Sequence, residues 1–119
     1  MNAARGRVGA APLRPTDALQ HAARSHSADM VARDYFGHGD FARRLARFGA
    51  RGPRLGETIG WYSDPAGAVA FVVGAWARSP THRAILLRPG FRHVGVGVAV
   101  GLFGGHAAAL VVTADFEGL

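Results

Sequence analysis

A helical repeat of apolar residues runs through the first half of the chain. Residues 1–15 predict the tail of a first helix followed by a turn-rich segment. The apolar stripe that follows predicts a long helix that ends near Tyr35 and takes Thr16 as its N-cap. A shorter stripe over residues 41–48 predicts another helix, which the glycines after it end.

The middle of the chain alternates between strand and helix signals. Residues 56–62 are apolar and β-prone, and they indicate a strand. Asp64 and Pro65 are residue types typical of an N-cap and a first helical position, so they predict the start of a helix. Pro80 ends that helix, and residues 81–87 predict a short helical turn.

The last quarter changes from a helical repeat to strict alternation. Valines from Val94 to Val100 alternate with glycine or alanine, and residues 106–116 form a second apolar segment after two glycines. This pattern predicts an antiparallel hairpin whose glycine face a helix or loop packs closely. Helices followed by a hairpin predict an α/β (α+β) fold, with helices flanking an antiparallel sheet. A length of 119 residues accommodates a single domain over residues 1–119.

Composition narrows the classes of function. The net charge of +6, carried by 14 basic residues that are all arginine, favours acidic partners such as nucleic acid, anionic lipid headgroups or cell-wall polymers. The absence of cysteine excludes disulfides and thiolate metal sites. No apolar run approaches the roughly 20 residues of a membrane span, and we recognise no signal peptide at the start of the chain.

Four residues are candidates for chemistry. Glu57 lies among apolar residues, where a carboxylate is costly to bury unless a cation, a proton or donors satisfy it. His38 follows a helix end on a glycine-flanked loop, and His82 lies at a sharp turn of the chain. Ser79 shortly precedes His82, which is a weak nucleophile signal without a G-x-S-x-G elbow. Each also has a structural interpretation: a capping acid, a helix-end histidine, a packing histidine and a helix-ending serine.

One further histidine and a group of arginines have structural interpretations. His26 falls inside the long amphipathic helix, and we expect it to be buried or half-buried. Arginines concentrate between residues 43 and 54. A solvated helix face and loop explains them, and an anion-docking patch is the alternative.

Five motifs in a fixed order resemble the bacterial branch of the CAP superfamily (cysteine-rich secretory, antigen 5 and pathogenesis-related proteins), also called SCP domains. They are residues 26–30 (H-S-A-D-M), 35–38 (Y-F-G-H), 56–59 (G-E-T-I), 76–86 (W-A-R-S-P-T-H-R-A-I-L) and, after Phe91, 94–97 (V-G-V-G). The resemblance covers nearly the whole chain from about Asn2, which lies inside what resembles the first helix of the family. It implies an α–β–α sandwich with a central cleft that two histidines and two acids line.

Residue by residue, the resemblance places three groups in that cleft. His38 matches the first cleft histidine, Glu57 the acid of the family's G-E-N motif and His82 the second histidine. The second acid falls at Ser79, so the tetrad is incomplete, and Thr58 replaces the usual asparagine. Two imidazoles and a carboxylate can hold Zn²⁺ or another divalent metal with an open fourth position, where a bound water is activated. The same groups can equally form a metal-free hydrogen-bonded cluster.

Three hypotheses of function follow, and the resemblance implies an exported, extracellular protein for the first two. A monomeric, non-enzymatic binding module would engage a lipid, sterol or cell-wall ligand, with the metal as an optional partner. A metal-assisted, peptidase-like hydrolase would hold the metal on His38 and His82, use Glu57 as third ligand or base, and orient water with Ser79. Nucleic-acid binding is least favoured, because the sequence has no recognition motif and no pattern of stacking aromatics.

Overall fold

The computed structural model describes residues 1–118, which form five helices and four strands. In chain order these are α1 (Asn2–Arg7), β1 (Arg14–Pro15), α2 (Asp17–Arg33), α3 (Phe41–Arg47), β2 (Arg54–Tyr62), α4 (Ala68–Arg78), α5 (Pro80–Leu86), β3 (Phe91–Phe103) and β4 (His106–Gly118). The strands form one sheet in the order β1-β3-β4-β2. The pairs β3–β4 and β4–β2 are antiparallel, and the predicted hairpin is confirmed. A short parallel edge, β1 against β3, was not predicted.

Helix α2 begins where the sequence predicts. The hydroxyl of Thr16 accepts a hydrogen bond from the Leu19 N–H at 3.3 Å, which satisfies one of the free donors of the first turn. The helix ends at Arg33, slightly before the predicted Tyr35, because Asp34 turns into the left-handed region with φ 48°. His26 lies on the buried face of α2, as expected, with 3% of its surface exposed.

The glycine face of β3 brings α2 unusually close to the sheet. A Cβ atom at Gly95 would lie 2.1 Å from the carbonyl carbon of Leu19, and one at Gly97 would lie 2.1 Å from the amide nitrogen of Arg24. The predicted close packing of this face is therefore confirmed, and the packing surface is helix backbone. Ser27 fixes the contact, since its hydroxyl donates to the Gly97 carbonyl at 2.9 Å.

The opposite face of the sheet packs against α4 and α5. A buried cluster joins Val72 and Trp76 of α4 with Phe91 and Phe116 of the sheet. The Trp76 indole donates to the Ile59 carbonyl at 3.0 Å and so ties α4 to β2. Helices thus lie on both faces of a mainly antiparallel sheet, which confirms the predicted α–β–α sandwich.

The predicted start of α4 is wrong. The Asp64 carboxylate accepts from the Ala66 N–H at 3.0 Å within a turn, and Gly67, with φ 69°, is the N-cap. The helix begins only at Ala68. Asp-Pro is as compatible with a turn as with a helix start, and here the turn forms. Helix α4 ends at Arg78, before Pro80, as the sequence predicts.

Candidate functional site

A polar depression of about 400 Å³ lies between α2, the loop that follows it and α3. Two histidines, three arginines and two aspartates contribute to its lining, namely His26, His38, Arg33, Arg44, Arg47, Asp29 and Asp40. The loop reaches the depression because α2 ends at Arg33 and Asp40 caps α3 by accepting from the Arg43 N–H at 3.1 Å. The His38 imidazole stands on this loop with 45% of its side chain exposed.

Glu57 lies on β2, beneath the loop that carries His38, and its carboxylate is fully buried. One carboxylate oxygen, Oε1, is 2.8 Å from Nδ1 of His38. The other, Oε2, is paired with the guanidinium of Arg44, which also donates to the main-chain carbonyl of His38 at 3.0 Å. The carboxylate therefore joins β2, α3 and the His38 loop. The structure brings together two of the predicted site residues, His38 and Glu57.

The charge on Glu57 is stabilised by its partners. Burial alone would raise the pKa of this carboxyl. The adjacent Asp115 together with the hydrogen bonds to His38 and Arg44 outweighs the effect of burial and holds the pKa of Glu57 below its usual range. Glu57 is thus an anion at neutral pH, and both of its oxygens are already engaged.

Asp115 is a site residue that the sequence did not reveal. It lies opposite Glu57 in the β2–β4 register, is fully buried, and finds no hydrogen-bond donor for either oxygen among residues 1–118. Burial, with the adjacent Glu57, raises the pKa of Asp115 to about 10. Asp115 is therefore protonated at neutral pH, beside the ionised Glu57. The available signal was one acid within the buried, apolar alternation of β4.

The predicted exposure of Arg44 is wrong. The arginines of residues 43–54 were interpreted as a solvated face, but the Arg44 side chain is only 14% exposed. Its neighbours Arg43 and Arg47 are exposed, in agreement with that interpretation. Amphipathic spacing on so short a helix does not distinguish a guanidinium directed at the sheet from one directed at water.

His26 lines the depression and contacts the loop that carries His38. Its Nε2 lies 2.7 Å from the Gly37 carbonyl, a contact in which the ring must be the donor, and 3.8 Å from the Glu57 carboxylate. Burial lowers the pKa of His26, although Glu57 opposes the shift. A neutral His26 therefore fixes the loop that carries His38.

His82 and Ser79 lie together in a separate cavity of about 230 Å³, where Nδ1 of His82 is 2.9 Å from the Ser79 hydroxyl. The walls are mainly apolar and include Trp61, Phe71 and Trp76. Among residues 1–118, no group of three or more histidine, aspartate or glutamate side chains is arranged to hold a metal ion. Metal binding by His38, His82 and Glu57 therefore stays a prediction.

The sequence model of the CAP family, described as the cysteine-rich secretory protein family, matches residues 1–116. The chain belongs to the CAP family. This CAP domain is 35% identical over 101 residues to the protein YkwD of Bacillus subtilis (strain 168), an alignment that spans 81% of the chain and 38% of YkwD. Family membership by itself establishes no enzymatic reaction.

Solved structures agree with this assignment. An extracellular protein containing an SCP domain from Bacillus anthracis str. Ames superposes with a TM-score of 0.81 at 25% identity, over 99% of this chain and 37% of that one. An outer surface protein from Borrelia burgdorferi shares the fold, with a TM-score of 0.74 at 16% identity, over 99% of this chain and 86% of that one. The CAP domain thus spans less than two fifths of the two Bacillus proteins. Within residues 1–118, no helix combines the length and apolar character needed to cross a membrane.

Proposed function

We propose that this CAP domain is an extracellular binding module whose polar depression takes an anionic group of a cell-wall polymer. The observation that carries the proposal is the state of the charges around the depression. Arg44 already neutralises Glu57, whereas Arg47 is exposed at the rim and the Arg33 side chain is 73% exposed. The lining also holds two acids, of which Asp40 is engaged as the cap of α3, where it accepts from the Arg43 N–H. The partner of Arg33 is the half-exposed Asp29 at 3.6 Å, an exposed contact that adds little stability and yields to a better ligand.

His38 adds an imidazole of fixed orientation to the depression. Its Nδ1 faces the Glu57 carboxylate and is therefore the protonated nitrogen, which leaves the Nε2 lone pair available. A carboxylate behind a histidine is also the usual support of a metal-binding imidazole. His38 can thus accept a hydrogen bond from a ligand or bind a divalent cation.

The donor set supports Zn²⁺ as an optional partner and does not fit a resident three-ligand zinc. Glu57 is engaged by Arg44 and His38, and His82 is bonded to Ser79 in the other cavity. The residue that would bind a metal ion here is His38.

Cavity size favours the polar depression over a lipid or sterol site. Small-molecule pockets commonly enclose about 300–1,000 Å³. The depression, at about 400 Å³, lies within that range, and the apolar cavity beside His82, at about 230 Å³, lies below it. A sterol is therefore disfavoured, and a short acyl chain is the largest lipid group that the apolar cavity suits.

The test is cosedimentation with insoluble cell walls at physiological salt. An Arg33→Ala/Arg47→Ala variant should lose about tenfold or more in affinity, since each charge-assisted contact is worth roughly 1.5–3 kcal/mol. The matched control is Arg7→Ala/Arg83→Ala, which removes the same charge at exposed positions outside the lining of the depression and should bind as the wild type does. Walls stripped of their phosphate polymers should bind weakly. Equal loss in both double variants would show that only net charge matters and would overturn the proposal.

Metal-assisted hydrolysis is the alternative function. An assay of peptide turnover distinguishes it from the binding proposal. Peptide substrates with added Zn²⁺ should show no turnover beyond that of free metal, because His38 and His82 lie in different cavities. Metal-dependent turnover that His82→Ala abolishes would replace the binding proposal with the hydrolase.

A further inference from the structure

One edge of the sheet is open along the middle of β3. Strand β1 covers only the start of β3, where the Thr16 N–H donates to the Val94 carbonyl at 3.1 Å. Backbone groups of successive strand residues point to alternate sides, so those of Val96, Val98 and Val100 face the same way as those of Val94. In the part of the chain that the structure describes, no hydrogen-bond partner reaches these three residues from that side. The edge therefore offers a row of free N–H and C=O groups.

The open stretch lacks the features that usually protect an edge strand. Such strands commonly carry a charged residue, a proline or a bulge. Residues 94–100 read V-G-V-G-V-A-V, and both register shifts of β3 lie outside them. Val98 and Val100 share one face of the strand and are 42% and 55% exposed. An apolar strand with free backbone groups is a template for the addition of another strand.

The position of α2 excludes a second copy of the chain as that strand. The helix runs along the other face of β3, with its backbone against Gly95 and Gly97 and the Val31 side chain against Gly101. If two copies paired antiparallel through this edge, each α2 would lie over its own β3. The two helices would then be only about one strand spacing, 4.8 Å, apart. Packed helices need about 8–10 Å, whereas a peptide that carries no helix of its own fits beside β3.

Helix α2 also restricts the side chains of such a peptide. Residues of an added strand alternate between the two faces of the sheet. Those on the face of Val98 and Val100 meet exposed methyl groups and should be apolar. Those on the face of α2 should be small, because the glycines of β3 let the helix backbone lie unusually close to the sheet.

Arg24 adds a preference for one acidic side chain. It lies on the flank of α2 away from His26, which faces Glu57 on the other side of the helix. Arg24 is exposed and forms no ion pair within residues 1–118. The acid on the same flank, Asp17, lies two turns earlier, about 10 Å away along the helix axis. An acid on the α2 side of the peptide would therefore be the nearest partner for Arg24.

We propose that the open edge of β3 binds an extended peptide segment of another protein as an added strand. Its apolar side chains lie against Val98 and Val100, and its small side chains, one of them acidic, lie beneath α2 near Arg24. The site is separate from the polar depression, which lies on the flank of α2 that carries His26. Cell-wall binding and peptide binding can thus fail independently.

The test is amide hydrogen exchange of the full chain, followed by NMR, with a capped peptide of about seven residues that alternates valine with serine and one aspartate. Without peptide, the N–H groups of Val96, Val98 and Val100 should exchange quickly, and those of Gly95 and Gly97, which face β4, slowly. Peptide at about ten times its Kd should slow the first three by about tenfold. Unchanged exchange at these valines overturns the proposal.

Backbone methylation of the peptide provides a matched control. Two peptides that are N-methylated at alternate positions keep every side chain, but only one of them loses the donors that face β3. That peptide should fail to bind, and the other should bind. Equal behaviour of the two peptides would show that no strand is added and would overturn the proposal.

Matched variants of the protein locate the surface. Val98→Lys should weaken peptide binding by about tenfold or more, because contact with one large aliphatic side chain accounts for about that factor. Val8→Lys makes the same charge change at a similarly exposed residue, 53%, on the C-cap of α1, and it should bind as the wild type does. Urea unfolding confirms that both variants fold. Equal binding by the two variants would refute the proposal, and so would a dimer in sedimentation equilibrium that Val98→Lys abolishes.

Discussion

The buried acid pair should give this domain an unusual loss of stability in alkali. Asp115 has an ordinary pKa of 3.8 when unfolded and about 10 when folded. For an acid whose pKa is raised by folding, the stability is fully present below the unfolded pKa and is lost as pH rises toward the folded value. Between those limits the folded chain binds one proton that the unfolded chain does not.

The size of the effect follows from this single proton. A difference of one bound proton changes the free energy of unfolding by about 1.4 kcal/mol per pH unit. From about pH 6 to pH 9 the wild type should therefore lose up to about 4 kcal/mol. In Asp115→Asn the side chain keeps nearly the same shape and never ionises, so the slope should nearly vanish.

Urea unfolding followed by tryptophan fluorescence measures both slopes, since Trp76 is buried and its emission reports the core. The comparison of interest is the pH dependence of each protein, which does not depend on how well the asparagine packs. A wild type whose stability is flat over this range would show that Asp115 is ionised in the folded state. A variant with the same slope as the wild type would show that another group binds the proton.

Three further substitutions test other contacts in the fold and the site. Gly97→Ala places a Cβ against the backbone of α2 and should destabilise the fold by about 1–3 kcal/mol or more in urea unfolding, whereas Gly6→Ala, with nothing within 4 Å, should be neutral or slightly stabilising. Arg44→Met leaves the Glu57 carboxylate buried without its cation and should cost about 3–5 kcal/mol, a loss that should shrink when acid protonates the glutamate. Burial lowers the pKa of His26, so stability should fall as the pH drops below the usual histidine range, and His26→Asn should lose less between about pH 7 and pH 5. Unchanged stability in Arg44→Met, or an identical acid response in His26→Asn, would contradict the corresponding contact.

Much of the architecture could be predicted because its signals are local. Alternation of valine with glycine in β3 encodes both the strand and the face that α2 covers, and the Thr16 cap is a short-range contact. The start of α4 was missed because Asp64 and Pro65 suit a turn as well as a helix, and the first helical residue is instead Ala68, which lies in the buried core. The β1 edge is two residues long and has no local pattern to read.

The candidate site was only partly readable because its contacts are long-range. His38 and Glu57 were paired through the family resemblance, and the structure places them 2.8 Å apart. Asp115 joins them through the β2–β4 register, which no local pattern specifies. Arg44 joins them through the orientation of a seven-residue helix, which amphipathic spacing does not fix.

Glu57 holds His38 with its Nε2 open to the polar depression. Long-range nitrogen–proton NMR of the imidazoles during a Zn²⁺ titration tests it directly, since each ring nitrogen gives its own signal. We expect Nε2 of His38 to respond first, its Nδ1 to stay protonated, and the exposed His21 to serve as the unaffected reference. A first response at His82 or His21, or an Nδ1 of His38 that carries no proton, would contradict the account.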